Sequence, residues 1–279
     1  MKLQYFGTAA AEGVPAVFCT CDTCRRSREA GGRNIRTRSQ ALVDGKLLLD
    51  FPPDTYMHTL TLGLDLKNIF HCLITHTHGD HMFPMDLSMR GPGFAVVPQG
   101  SAFHIYGTDK VVEKGSALFE RKALADSGVL AFHEIKPYEP FEVLNYTVTP
   151  LPAHHGNGTA GAVIYLIFDG KKRLLYAHDT GYLEDEVWQW LADHPAHIDF
   201  VSLDCTHQLL PGKLHGGHMG LDACPIFMDK LKATGCANET TRVCLNHFSH
   251  NGGATYDELV PRAAEYGYAV SYDGMTVEI

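Results

Sequence analysis

Residues 75–81 read THTHGDH and place three histidines and one aspartate within seven positions. Imidazole and carboxylate groups are the usual protein ligands of zinc and similar divalent ions. The run directly follows Cys72–Leu73–Ile74, an apolar stretch typical of a buried strand. A histidine-rich surface loop would give the same composition, but four ligand side chains packed directly after a buried strand favour a metal site.

The length and net charge of the chain restrict the class of protein to which this run can belong. A chain of 279 residues suits one large α/β domain, or at most two domains, and we expect a single domain over residues 1–279. The net charge of −9 argues against general nucleic-acid binding. The sequence shows neither a signal peptide nor an apolar run long enough to cross a membrane, so we expect a cytoplasmic protein with no membrane partner. A homodimer is one option for its assembly.

Short β-rich apolar runs recur along the chain, with helical patterns between and after them. Asp-Gly pairs at 44–45, 169–170 and 273–274 predict hairpin turns. This pattern predicts two packed sheets with helices outside, an αββα sandwich. The predicted strands are Lys46–Phe51, His71–Thr75, Ala102–Tyr106, Tyr146–Leu151, Ala162–Phe168, Arg173–Ala177, Phe200–Leu203, Arg242–Leu245 and Tyr268–Tyr272.

Polar side chains follow the predicted strands. His76, Asp179, Asp204 and His247 each lie at or just past the C-terminal end of a strand, and His155 follows another after a short link. Strand ends on a rigid scaffold are where α/β enzymes bring together side chains from distant sequence. We therefore expect these residues to converge.

Spacing within the opening run suggests two ions. His76 and His78 are two positions apart, so on an extended segment they point the same way and can share one ion. Asp80 and His81 follow Gly79 and can reach a second ion.

These residues carry a family resemblance that extends over the whole chain. Residues 75–81 fit the T-H-x-H-x-D-H signature of the metallo-β-lactamase superfamily, and 150–155, 177–181 and 246–250 are similar to its later motifs. The resemblance implies the αββα metallo-β-lactamase fold. It also implies that the third histidine of the first ion is one of His154 and His155, and the spacing in similar sequences selects His155. The implied metal ligands are His76, His78 and His155 for the first ion, Asp80, His81 and His247 for the second, and Asp179 between them.

A second cluster lies near the N-terminus. Cys19, Cys21 and Cys24 form a C-x-C-x-x-C run, which in a cytoplasmic chain predicts three ligands of a structural zinc within an element of about residues 13–30. A redox-active cysteine trio is the alternative. The run and the preceding residues 7–15 are similar to the start of the carbon–phosphorus lyase accessory phosphodiesterase family (PhnP-like). That resemblance implies that the fourth ligand is His250.

The same resemblance suggests a reaction. It implies two divalent catalytic ions, zinc or manganese, and a bridging hydroxide that attacks a small or cyclic phosphodiester such as a ribose cyclic phosphate. Asp80 would orient the attacking water. His218, in a glycine-rich loop before a predicted helix, matches the histidine that serves as general acid, and His207 is a weaker candidate for binding the phosphate.

The sequence is also consistent with other functions, because one fold hosts many reactions. A pyrroloquinoline-quinone-biosynthesis-like protein shares a similar cysteine run. A tRNA-processing nuclease would carry a basic arm, and no Lys/Arg/Gly-rich insertion of that kind is visible. A lactone or thioester hydrolase would use the same ions. A non-enzymatic metal-binding module would show metals without turnover, so metal analysis with a substrate panel separates these classes.

Overall fold

The computed structural model describes residues 1–156, 161–211 and 216–279. Within these ranges the strands are β1 Lys2–Gly7, β2 Gln40–Val43, β3 Leu47–Leu49, β4 His71–Leu73, β5 Phe103–Gly107, β6 Leu130–Glu134, β7 Phe141–Val143, β8 Tyr146–Pro152, β9 Val163–Phe168, β10 Arg173–Ala177, β11 Phe200–Asp204, β12 Arg242–Asn246, β13 Ala269–Val270 and β14 Thr276–Glu278. The helices are α1 Asp22–Ala30, α2 Thr55–Thr61, α3 Pro84–Leu87, α4 Asp109–Ser116, α5 Lys122–Ser127, α6 Asp185–Asp193, α7 Ala223–Ala233 and α8 Tyr256–Ala264.

The strands form two seven-stranded mixed sheets. The first has the order β14-β1-β2-β3-β4-β5-β6, and the second has the order β13-β12-β11-β10-β9-β8-β7. In the first sheet β3, β4, β5 and β6 run parallel. In the second sheet β10, β11, β12 and β13 run parallel. Parallel neighbours end at the same edge of their sheet, so residues that follow them in sequence are brought together.

Three apolar clusters fill the spaces between the layers. The middle cluster joins both sheets and includes Leu47, Leu73, Tyr165 and Tyr176, all fully buried. A second cluster packs the outer face of the first sheet, and a third packs the outer face of the second sheet against α6, α7 and α8. Alternate residues of one strand face different clusters, as Cys72 and Leu73 do in β4. The predicted αββα sandwich is confirmed.

Two of the three predicted hairpin turns connect paired strands. The turn at 44–46 joins β2 to β3, and the turn at 169–172 joins β9 to β10. The prediction for Asp273–Gly274 is wrong, because β13 pairs with β12 in the second sheet whereas β14 pairs with β1 in the first. The Asp-Gly pair turns the chain here, but the strands it joins close two different sheets.

In the described parts of the chain, no helix is both long and apolar enough to cross a membrane. The cytoplasmic location, the single-domain organisation and the homodimer stay predictions.

Candidate metal centre and active site

The five strand-end residues of the sequence pattern converge where the two sheets end side by side. His76 follows β4, Asp179 follows β10, Asp204 ends β11, and His247 follows β12. His155 follows β8, which runs antiparallel to β9 and thus in the same direction as β10. The predicted convergence arises because all these strands point the same way within their sheets.

The first ligand set gathers around His78. His76 Nε2 and His155 Nε2 each lie 3.0 Å from His78 Nδ1. Asp179 Oδ2 lies 3.2 Å from His76 Nε2 and 3.8 Å from His155 Nε2. One ligand atom from each of the four residues lies within 4.8 Å of the others.

The second ligand set gathers around His81. Its Nε2 lies 3.2 Å from Asp80 Oδ2, 2.8 Å from Asp179 Oδ2 and 3.2 Å from His247 Nε2. These four residues also offer ligand atoms that all lie within 4.8 Å of one another. Asp179 therefore belongs to both sets.

Both sets fit divalent metal ions. Ligand nitrogens at about 2.0–2.1 Å from a tetrahedral zinc are roughly 3.3 Å apart, close to the observed nitrogen separations. Asp179 Oδ1 is buried and takes part in no hydrogen bond among the described residues. His218 Nδ1 and His247 Nδ1 lie 3.3 and 3.4 Å from this oxygen. A buried carboxylate without hydrogen bonds on one oxygen is costly unless cationic groups, metal ions or imidazolium rings, lie beside it.

The charges at the site also favour cations. Asp50, Asp179 and Asp204 are buried, and Asp80 is largely so. Burial raises the pKa of Asp179, but the charges of His247 and His81 outweigh it and hold the pKa well below its ordinary value. Burial lowers the pKa of His81, but the neighbouring carboxylates outweigh it and raise the pKa well above its ordinary value. The site thus concentrates negative charge that bound cations would neutralise.

Asp50 supports His81 from behind, and the sequence reasoning did not identify it. Asp50 Oδ2 lies 2.8 Å from His81 Nδ1, and its Oδ1 accepts hydrogen bonds from Thr75 N at 2.8 Å and from Thr75 Oγ1 at 2.9 Å. A proton held on Nδ1 leaves Nε2 free to face the site. The available signal was its position: a carboxylate directly after the fully apolar strand β3.

His247 is oriented in a similar way. Its Nδ1 lies 2.8 Å from Thr206 Oγ1, and that oxygen lies 3.0 Å from Asp204 Oδ2. If His247 Nδ1 donates to Thr206 and Thr206 donates to Asp204, His247 Nε2 is left to face His81. The sequence pattern places Asp204 at a strand end but assigns it no role. In the structure Asp204 supports His247 through Thr206.

His218 lies beside the second ligand set. Its Nδ1 is 3.3 Å from both Asp179 Oδ1 and Asp204 Oδ2. Burial lowers the pKa of His218, but the hydrogen bond to Asp204 and the charges of Asp204 and Asp179 outweigh it and raise the pKa to about 9. The raised pKa favours the protonated imidazole, which is the form that a general acid requires.

The remaining predicted residues have clear positions. His154 Nδ1 pairs with Glu184 Oε1 at 2.6 Å and belongs to neither ligand set, whereas His155 belongs to the first. His207 lines an open cavity of about 330 Å³ together with His218 and Asp80. Its ring centroid lies 5.9 Å from that of His218.

The cysteine run forms a separate cluster with His250. Cys19 Sγ and Cys21 Sγ lie 3.5 and 3.4 Å from His250 Nδ1, and Cys24 joins the same group of ligand atoms. Sulfur and nitrogen ligands of a tetrahedral zinc are roughly 3.6 Å apart, so the geometry suits zinc. Burial raises the pKa of Cys21, but hydrogen bonds from the Cys24 backbone and His250 outweigh it and lower the pKa to about 6. The thiolate form that a metal needs is thereby favoured at Cys21, whereas burial raises the pKa of Cys24 to about 11.

Three residues of the catalytic region have left-handed backbone conformations. The φ angles are 66° at Asp50, 52° at Asp179 and 64° at His247. This region is unfavourable for residues other than glycine, although aspartate tolerates it better than most. Asp50 and His247 directly follow a strand, and Asp179 lies two residues past one, so the sharp change of direction comes where the chain leaves the sheet at the site.

The four-layer fold, with His and Asp side chains gathered at its strand ends, defines the class to which the protein belongs: the metallo-β-lactamase superfamily. The sequence matches the family model described as a beta-lactamase superfamily domain over residues 46–248, and the chain belongs to this family.

Two curated proteins are similar to part of the chain. An octanoyltransferase of Porphyromonas gingivalis is 27% identical over 162 residues, which cover 56% of this chain and 31% of that protein. A ribonuclease Z of Picosynechococcus is 28% identical over 155 residues, which cover 56% of this chain and 44% of that protein. The matches thus span less than half the length of either relative.

Solved structures are similar over the entire chain. A diphosphatase from the PhnP family superposes with a TM-score of 0.73 at 23% identity, covering 100% of this chain and 96% of that chain. Zinc-bound PqqB from Methylobacterium extorquens superposes with a TM-score of 0.74 at 21% identity, covering 100% of both chains. The predicted superfamily, with its PhnP-like resemblance, is confirmed.

Proposed function

We propose that this protein is a dinuclear metal-dependent hydrolase, namely a phosphodiesterase that cleaves small or cyclic phosphodiesters. One observation carries the proposal: two ligand sets meet at Asp179, whose Oδ2 lies 3.2 Å from His76 Nε2 in the first set and 2.8 Å from His81 Nε2 in the second. A carboxylate shared by two adjacent sets is the arrangement that a bridging ligand requires.

The ions would be zinc or manganese. His76, His78 and His155 would hold one, Asp80, His81 and His247 the other, and Asp179 would bridge them. When bound, such a pair lowers the pKa of a water molecule and stabilises the negative charge that develops on a transferring phosphoryl group. Asp50 and Thr206 would hold the Nδ1 protons of His81 and His247, which leaves each Nε2 to face a metal ion.

Three side chains would complete the reaction. Asp80 orients the attacking water, since its carboxylate lies at the cavity wall beside His81. His218 lines the same cavity and donates its proton to the departing oxygen. His207, on the same wall, binds a non-reacting phosphate oxygen.

A structural zinc held by Cys19, Cys21, Cys24 and His250 would stabilise the wall of this cavity. His250 lies three residues after His247, and Ser249 and Asn251, which flank it, line the cavity. A metal at the cysteine cluster would therefore fix the segment that positions the last catalytic histidine.

The test is hydrolysis of bis(p-nitrophenyl) phosphate by protein loaded with Mn²⁺ or Zn²⁺. We expect turnover by the wild type and its loss in Asp179→Ala, with metal analysis giving roughly three ions per wild-type chain. Equal turnover by Asp179→Ala would refute the proposal. A panel of lactones and thioesters run in parallel would reveal a hydrolase of another class.

A tRNA-processing nuclease is the second candidate, because a ribonuclease Z is among the sequence relatives. The net charge of −9 disfavours a large polyanionic substrate. Cleavage of a precursor tRNA at a rate above that for cyclic nucleotides would favour this candidate over ours.

A further inference from the structure

The loop after β1 forms a wall of the active-site cavity. Its backbone is tied to the segment that follows the last catalytic histidine, because Ala10 N donates to Phe248 O at 3.0 Å and Phe248 N donates to Thr8 O at 2.9 Å. Glu12, on this loop, lines the cavity together with Asp80 and His78. A carboxylate outside both ligand sets is thus fixed within the same cavity as the metal centre.

Hydrogen bonds to one carboxylate oxygen, Oε1, hold the Glu12 side chain in place. Glu12 Oε1 accepts hydrogen bonds from Ser249 Oγ at 3.2 Å and from Asn251 Nδ2 at 3.1 Å. Ser249 Oγ also accepts a hydrogen bond from Asn251 N at 3.1 Å, so the three residues form one connected group. In the described part of the chain, Oε2 has no such donor and remains available as an acceptor.

Charge and hydrogen bonding then determine what fits beside Glu12. Metal ions would neutralise the phosphodiester itself, whereas a second anionic group near Glu12 would face a fixed negative charge. A hydroxyl group, in contrast, can donate to Oε2. Glu12 borders the same open cavity of about 330 Å³ as His78 and Asp80, so a substituent of a substrate bound at the metal centre enters a space that this carboxylate lines.

We infer that Glu12 is a specificity residue that favours phosphodiesters whose non-reacting part is a neutral, hydroxyl-bearing group such as a sugar, and that it disfavours substrates with a second phosphate. The inference rests on the proposed phosphodiesterase function and names the substrate class for that site.

The test compares matched substrates that differ by one phosphate. Adenosine 2′,3′-cyclic phosphate carries a free 5′-hydroxyl, and its 5′-phosphorylated counterpart carries a second anionic group there. We expect wild-type kcat/KM to favour the 5′-hydroxyl compound by about tenfold or more. Glu12→Gln keeps an acceptor for Ser249 but removes the charge, and should reduce this preference to about threefold or less. The ratio within one variant is independent of how much protein is active.

A control and a second readout accompany this comparison. Glu239→Gln removes the same charge from a side chain that is 89% exposed and should keep the wild-type ratio. Calorimetric titration with adenosine 3′-monophosphate and adenosine 3′,5′-bisphosphate should give the same order of preference without turnover.

The outcomes separate the two proposals. If the wild type cleaves bis(p-nitrophenyl) phosphate but Glu12→Gln keeps the wild-type ratio in both assays, the role of Glu12 is refuted and the phosphodiesterase function stands. If the wild type cleaves no phosphodiester, the proposed function fails, and the binding ratio alone then decides whether Glu12 repels a second phosphate.

Discussion

Replacing Asp50 with asparagine should weaken metal binding although Asp50 itself is no proposed ligand. The buried carboxylate accepts two hydrogen bonds from Thr75 on Oδ1 and faces His81 Nδ1 with Oδ2 at 2.8 Å. Asparagine can keep the Thr75 bonds through its own oxygen. Its amide nitrogen would then face His81 Nδ1, so the imidazole must turn its acceptor to Nδ1 and carry its proton on Nε2, which faces the metal position.

The structure allows the size of this effect to be worked out. Two of three hydrogen bonds survive in Asp50→Asn, and one charge-assisted bond is lost together with the metal-binding form of His81. A hydrogen bond to a charged group is worth about 1.5–3 kcal/mol, so a loss of about 2 kcal/mol corresponds to roughly thirtyfold in affinity. This lies within the roughly 10–100-fold range seen when supporting partners of metal ligands are removed.

The assay is metal content after dialysis against a series of metal-buffered solutions. Asp50→Asn should release the ion held by His81 at about thirtyfold higher free metal than the wild type, while the zinc at Cys19, Cys21 and Cys24 is retained and serves as an internal reference. Asp126→Asn removes one exposed charge from α5 and is the matched control. Unchanged affinity in Asp50→Asn, or an equal loss in Asp126→Asn, would refute the reasoning.

Three further predictions follow from other parts of the molecule. Cys24→Ser should release one zinc per chain and lower the melting temperature, as seen by metal analysis and thermal unfolding; full zinc occupancy would contradict the assignment. His218→Asn should slow cleavage of alkyl phosphodiesters by about 10²–10⁴-fold, but cleavage of bis(p-nitrophenyl) phosphate far less, because p-nitrophenolate leaves without a proton; equal losses would argue against an acid role. Burial raises the pKa of Asp273 to about 6, against the hydrogen bonds from Thr37 and Thr8. The stabilising contribution of the protonated Asp273 carboxyl is therefore fully present below about pH 4 and is lost as pH rises through about 6. Between pH 4 and 7.5 the wild type should lose about 2–3 kcal/mol of unfolding free energy relative to Asp273→Asn, as measured by urea titration at each pH. If the unfolding free energies of the two proteins change in parallel with pH, the prediction is wrong.

The sequence predicted those parts of the site that depend on local pattern. His76, Asp179 and His247 each follow the end of an apolar strand within three residues. Strands that run in the same direction bring such residues together at one edge of the sheet. The core strands β8 and β10 could be predicted from their apolar runs, because their residues are almost continuously buried. The first strand, β1, escaped prediction although its residues 5–7 are buried, and the short edge strands β7 and β14 carry too few apolar residues to show a period.

Contacts between residues far apart in the chain could not be predicted from local sequence patterns. Asp50 lies 31 positions before His81, and the local pattern does not predict which histidine Asp50 contacts. The two strands around Asp273–Gly274 resembled a hairpin, yet the chain crosses from one sheet to the other, because a turn signal describes local backbone and not the strand partner. Glu12 likewise gains its position through Ser249 and Asn251, far along the chain.

The left-handed backbone at Asp50, Asp179 and His247 sets a limit on engineering this protein. Such conformations cost of order 1–3 kcal/mol each for residues other than glycine, and glycine would relieve that cost. A library selected for thermal stability without metal would therefore accumulate glycine at these three positions. The most stable variants of such a selection would be those that have lost the metal centre, so stability screens of this fold should be run with metal present.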